Sequence, residues 1–588
     1  MKPKSSPTQQ YIKQSGLQPL LAVLANEAAS KPLLPPAAVI ENYFVVQKRK
    51  AGLNSIECEL GVGSSPPGSA SLGITVSSSL GTWSGHTALR SVFLGSKEWN
   101  EAETIAKHFA TELGIKLKGE NPVNQEEADK LILLATASHA SIKGVSADSK
   151  LLPTVRKALR IATSLAIARA GAFHSEESFV HHISKMAGPW AEPRRKGMHA
   201  TIPDLRFTVV SNSGAADHWF PFRSIQLRCS LTNAHVNSSR QSILAMMQAC
   251  VSLRKSFPGD LNPDRTLVPN NAPSNRWETL ESVIKPVHEI CSQSSAPVQI
   301  VLDIGADEKN LYVSADKVKE EISSAANENA VFIAANPKAK APVPKPKPAP
   351  PKGAPPPDPK TFWSTDPMSL TISDEAGKPL YIVAKPSPEA IAEATAANAA
   401  WPGGMPGPIG RMAVSLPRYA HMLADAMSQY SSISSVVDPV AANDLEGLTF
   451  IKSKLHSTHR IFSSAASETF GAALASGKSI QDASAAALQV PHIKGVGVIA
   501  NPFEVCDTLS DALALCHAVA FEKSDLLALA HSGLVGDLDG AEADLARAIG
   551  ANEIAFGSPA DSPAATAMID RLVVLQRQEQ HEQQVGKK

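Results

Sequence analysis

The sequence is short of the features that would announce a chemistry. Its six cysteines, at 58, 229, 250, 291, 506 and 516, form no CxxC pair and keep no regular interval. That excludes a zinc ribbon and a dense disulfide framework and leaves small buried apolar thiols. Aromatic residues make up only 5%, so the 43% hydrophobic content is mostly Ala, Leu and Val, and the cores are expected to be helix-rich and thin in rings. Charge is also scarce: 19% of residues, with 56 Lys and Arg cancelling 56 Asp and Glu. A protein that coats nucleic acid through charge carries a strongly basic footprint, which is missing here. With so little self-repulsion, nothing long-ranged opposes association. No apolar run approaches the ~18 residues of a membrane span. The opening Met1-Lys-Pro-Lys-Ser-Ser-Pro leads into polar residues and not into a signal-peptide core. The expected location is the cytoplasm, or a virion assembled there, with no membrane partner.

What is present suggests organisation more than function. A chain of 588 residues is too long for one core, since cores stop growing near ~250–300 residues. The clearest boundary runs from Pro337 to Lys360, PKAKAPVPKPKPAPPKGAPPPDPK, where proline at nearly every second position removes backbone donors and fixes φ. Such a stretch is expected to be an extended polyproline II spacer. The expected division is therefore a mixed α+β domain at 1–336, a linker at 337–360, a mainly helical domain at 361–575 and a polar tail at 576–588. The fold class is α+β and helix-dominated.

Alternation places strands. Ile56, Cys58 and Leu60, then Leu72, Ile74 and Val76, flank the Pro-Pro-Gly at 66–68 and predict a hairpin. Leu205, Phe207 and Val209 pair in the same way with Ile225, Leu227, Cys229 and Leu231, whose clean alternation predicts one face turned to water or a partner. Three-four spacing predicts helices at 99–117, 125–142, from Pro153 onward, at 240–256 and at 276–293. Residues 298–303, 315–327 and 331–335 read as strand, helix, strand. Beyond the linker a strand is expected at 380–383, then helices: one bearing Tyr419, Leu423, Ala426 and Tyr430, one from Ser524 to Gly533, and one opened by Pro563 with Met568, Leu572 and Leu575. Small-residue stretches at 463–467 and 483–487 predict closely packed helices.

The motif search eliminates more than it finds. His174, His181 and His182, and the pair His456 and His459, lack partners completing a zinc set, and no cofactor is expected. Gly61-Val-Gly63 and Gly495-Val-Gly497 lack the continuation that cradles phosphate and read as turns or strand positions. Ser84 sits one place too late for a nucleophile elbow. Val301-Leu-Asp303-Ile-Gly305-Ala-Asp307 is the best lead to an enzyme, because an Asp followed by Gly at a strand end is where α/β folds hold magnesium or phosphate. It resembles the first phosphate loop of actin-like ATPases, which would imply a nucleotide-dependent enzyme using Asp303 and Asp307. It departs from that family in closing its domain and in carrying Ala306 where a Thr, Ser or Lys is usual. Three basic clusters are candidate phosphate contacts: Lys48, Arg49 and Lys50; Arg156, Lys157 and Arg160; and Arg194, Arg195 and Lys196.

The reading that gathers most of these features is a non-enzymatic, self-assembling structural protein, a viral capsid or nucleocapsid subunit enclosing an RNA genome. Its partners would be copies of itself, with genomic nucleic acid held at the local basic clusters. The alternatives are the Asp303 and Asp307 enzyme, or an adaptor that recruits partners through the proline segment.

Overall fold

The computed structural model describes residues 52–137, 142–197, 202–211, 222–231, 236–256, 259–261, 267–269, 283–305, 312–314, 379–384, 412–520, 526–530, 540–556 and 563–585. There are breaks at 65–66, 147 and 442–443; residues 22–26 are also described, as helix, with isolated described positions elsewhere. The chain divides into two compact units, one of residues 1–61, 71–185 and 508–510, the other of residues 62–70, 186–507 and 511–588.

The first strands are Leu53–Ser64 (β1), Pro67–Ser78 (β2) and Gly81–Phe93 (β3), side by side in that order. The helices Lys97–Leu117 (α1), Gln125–Ala137 (α2) and Leu151–His174 (α3) follow. The expected alternation holds, for Leu72, Ile74 and Val76 are all fully buried. Ser96 caps α1 by accepting the Trp99 N–H at 3.2 Å. Helix α3 buries both a stripe and most of its circumference, which its run of Ala, Leu and Ile allows. It lies so close to β3 that a Cβ at Gly85 would stand 2.1 Å from the Ala162 carbonyl oxygen. The Thr87 hydroxyl donates to Ala158 O across the same contact.

Next come Phe179–Ala187 (α4), Ala191–Gly197 (α5), Asp204–Ser211 (β4), Ser224–Cys229 (β5), Val236–Ser256 (α6), Gly259–Leu261 (β6), Leu267–Pro269 (β7), Lys285–Ser292 (α7) and Val298–Asp303 (β8). Tyr312–Ser314 (β9), Pro379–Ala384 (β10) and Met412–Val414 (β11) form a small separate sheet. Then strand and helix alternate: Leu416–Gln429 (α8), Ile433–Val437 (β12), Leu445–Lys454 (α9), Arg460–Ser463 (β13), Ala465–Ala475 (α10), Ile480–Gln489 (α11) and Gly497–Ala500 (β14). The series ends with Pro502–Val505 (α12), Leu509–Ala520 (α13), Leu527–Ala530 (β15), Ala541–Ile549 (α14), Glu553–Phe556 (β16) and Pro563–Val585 (α15).

Eight of these strands close into a barrel in the order β4, β5, β8, β12, β13, β14, β15, β16, with β16 returning in register to β4 from Glu553 opposite Asp204 to Phe556 opposite Phe207. Every neighbouring pair is parallel except those of β5, which runs antiparallel to both β4 and β8. Val301, Val437, Phe462, Ile499 and Ala528, from five strands, pack as one apolar cluster.

The chain is thus mixed α/β, with helix in excess of strand, and several expectations change. The 337–360 segment lies outside the described residues, yet it does not separate two sheets, because β8 before it pairs in parallel with β12 after it. The part after it is mainly helical by residue count but is no separate helical domain, because β12 to β16 add strands to the shared barrel; each has four or five residues, most of them buried. A strand covered on both faces shows no alternation and looks like a fragment of buried helix. Residues 527–530, expected in a helix, are strand β15. β5 turns neither face to water, since its six residues are all buried; its polar residues face other polar groups in the molecule. Ala334, the described residue of the strand expected at 331–335, is helical. The tail expected from 576 continues α15 to Val585. Among the described residues no helix is long and apolar enough to cross a membrane.

Candidate site at the mouth of the barrel

In barrels of parallel strands the carboxyl ends share one rim, where chemistry gathers. Here that rim receives Asp303 at the end of β8, Asp438 after β12, Ser464 after β13 and Asn501 after β14. The reversed β5 brings its amino end to the same rim, with Ser224 directly opposite Asp303 and Arg223 just before it.

Arg223 joins the two carboxyls. Its Nε donates to both oxygens of Asp303 at 3.0 and 2.9 Å, and its Nη2 reaches Asp303 Oδ1 at 2.8 Å and Asp438 Oδ2 at 2.9 Å. The carboxyls are buried, whereas the Arg223 side chain is 49% exposed. Ser224 Oγ donates to Asp303 Oδ2 at 3.0 Å. Asp438 Oδ1 accepts the Ser464 N–H at 2.7 Å, and its Oδ2 lies 2.8 Å from Ser464 Oγ, which is also 2.6 Å from Glu468 Oε1. Gly305 makes room for this arrangement: at φ +57°, an added Cβ would meet Arg223 Cβ at 2.7 Å.

Asp438 is strained and electrostatically perturbed. It holds φ +44°, uncommon for a residue with a side chain and costing of order 1–3 kcal/mol, a feature that gathers at functional sites. Burial pushes its carboxyl above the ordinary range, with the Asp303 charge adding to that, while Arg223 and the Ser464 hydrogen bonds oppose it. Asp303 in turn is the largest influence holding the Arg223 guanidinium firmly protonated.

A second charged cluster occupies the opposite end of the barrel. Glu553, at 0% exposure, meets Arg206 Nη2, Arg228 Nε at 3.2 Å and Arg460 Nη1 at 2.5 Å. Arg228 also pairs with Asp204, which accepts the Leu231 N–H at 2.7 Å. The Arg206 guanidinium lies 4.2 Å over the Phe462 ring. This end of a barrel ordinarily serves stability.

Asp303 is therefore placed in a site by the fold, and Asp307 lies outside the described residues. Lys48, Arg49 and Lys50 also lie outside them. Arg156 stacks on Phe109, Arg160 donates to Thr136 Oγ1 at 2.6 Å, and Arg194 donates to Ala520 O at 3.0 Å. Arg195 and Lys196 lie on α5, and nothing is described of their side chains. All six cysteines are free, five of them buried, and burial pushes the Cys58, Cys229, Cys291 and Cys516 thiols to about 12. Sequence reasoning missed Arg223, Asp438, Ser464 and Glu468. A signal existed for Asp438 and Ser464: VLD303, SVVD438 and IFSS464 are short apolar runs ending in a polar residue before a helix or loop. Nothing local marked Arg223. The chain matches no family model and no curated protein.

Proposed function

We propose that the chain binds and transforms a small polar molecule at the barrel mouth, with Asp438 as the proton-transferring carboxyl, Arg223 as a fixed cation beside it and Asp303 as the anchor of that cation. One observation carries this reading: two buried carboxyls from adjacent strands are bridged by a half-exposed arginine at the carboxyl-end rim. Burial raises the proton affinity of the Asp438 carboxyl, which suits general acid and base work. With Nε and Nη2 committed, Nη1 has no partner among the described residues and is the group left for a ligand. The reaction class is proton removal from, or delivery to, a molecule carrying an acceptor for that N–H edge.

The test is a thermal-shift panel of small carboxylates, phosphate monoesters and polyols. At least one class should raise the melting temperature of the wild type and fail to do so for Arg223→Ala, while Asp438→Asn keeps binding and loses turnover. A panel without effect on the wild type would retire the proposal.

Self-assembly into a coat is the second reading, and one observation favours it. Leu94, Ile115 and Leu134 are apolar side chains at 63, 66 and 67% exposure in the unit that holds β3, α1 and α2. An RNA held by the basic clusters belongs to this reading. Light scattering that finds a monomer at every salt concentration would remove it.

A further inference from the structure

Ser464 Oγ has one hydrogen and two carboxyl neighbours, at 2.8 Å on Asp438 and 2.6 Å on Glu468. A hydroxyl donates once, so both contacts are full hydrogen bonds when one of the carboxyls carries a proton. Two arrangements satisfy the geometry. In one, a proton on Asp438 is donated to Ser464 Oγ, whose own hydrogen goes to Glu468. In the other, a proton on Glu468 is donated to Oγ, whose hydrogen goes to Asp438. Moving both hydrogens one step converts one into the other, breaking and forming only O–H bonds, and carries one net proton between the carboxyls.

The two ends of that path differ in exposure. Asp438 is buried at 5%, whereas Glu468, in the first turn of α10, is exposed. Ser464 stands at the N-cap of α10, where a serine ordinarily turns its hydroxyl onto the helix's own free N–H groups, but it makes no such bond. Its hydroxyl is given instead to the two carboxyls. The other groups facing Asp438 are Arg223 at the amino end of β5 and Asp303 at the end of β8. Asp444, further along the same connection, is engaged by the Tyr381 hydroxyl and the Gly447 N–H.

We propose that Ser464 and Glu468 form a proton relay joining Asp438 to solvent, so that Asp438 can exchange its proton while Arg223 stays bound to it. This deepens the reading of the mouth as an acid-base site and rests on it. Ser464 and Glu468 are positioning residues, acting through Asp438.

The relay can be tested on the ligand-free full chain by isotope-edited infrared titration of carboxyl groups, with the Asp438 band assigned by its loss in Asp438→Asn. In the wild type this band should titrate in two steps, because its proton is shared with a second group. Glu468→Gln should reduce this to one step. Ser464→Ala should also give one step, with its midpoint moved up, since the charged form of Asp438 loses a donor; Ser464→Thr should restore two steps. A titration that Glu468→Gln leaves unchanged, whether in one step or in two set by Asp303, would overturn the relay. Glu468→Gln alters an exposed side chain and decides the matter even if Ser464→Ala fails to fold. No ligand or turnover is read, so an ineffective ligand panel and an absent relay are separate results.

Discussion

Glu553 and Asp438 are both buried carboxyls whose surroundings move them in opposite directions. For Glu553 burial alone would raise the proton affinity, but Arg206, Arg228 and Arg460 together outweigh it and hold the carboxyl below its usual range. A carboxyl lowered in the folded state adds stability above its unfolded pKa, and that stability is lost as pH falls through the folded value. Asp438, raised in the folded state, has the reverse sign: the native chain keeps a proton that the unfolded chain has released, so stability falls as pH rises through that interval. Glu553→Gln should cost about 3–5 kcal/mol, because three arginines lose their buried counter-charge. Denaturant unfolding would measure this, and the variant should also lose part of the wild type's acid sensitivity. Gly305→Ala should cost about 1–3 kcal/mol, from positive φ and from the clash with Arg223. It should also weaken any ligand that the Arg223→Ala variant fails to bind.

At the scale of elements, the strands divide by what their sequences reveal. β2, with Leu72, Ile74 and Val76 buried in alternation, was legible because one of its faces differs from the other. Helices α1 and α3 were legible for the analogous reason at a period of 3.6. The short barrel strands were not, because burial on both sides removes the contrast. Gly85 shows how one residue sets an inter-element distance. Gly85→Ala would place a methyl on the Ala162 carbonyl and push α3 off β3, and overpacking of this kind costs about 1–3 kcal/mol or more. Urea unfolding should show a lower midpoint, and loss of the near-ultraviolet signal of Trp83, which packs on Phe173 of α3 at 5.4 Å, would locate the damage.

At the scale of the whole molecule, the barrel is assembled from both sides of the proline-lysine segment. β8 pairs with β12 and β16 pairs with β4 in the barrel, and β9 pairs with β10 in the small sheet, so among the described residues the backbone ladder crosses 337–360 three times. An engineered cleavage site within that segment tests the consequence. The two fragments should remain together on size exclusion and come apart only in denaturant, at a midpoint close to that of the uncut chain. Fragments that separate without denaturant would mean two independent domains, as the composition alone suggested.

The sequence by itself determined the local features. These include the first hairpin, the amphipathic helices, the free thiols and Asp303 at a strand end, all of which depend on periodicity or on a few adjacent residues. Tertiary structure alone decided that eight strands close on themselves and that β5 runs against its neighbours. It also decided that Arg223, Asp303, Asp438 and Ser464 share one rim. Arg223 and Asp438 are 215 residues apart in the chain, and what brings a guanidinium to a carboxylate over that distance is strand register, which no local spacing encodes.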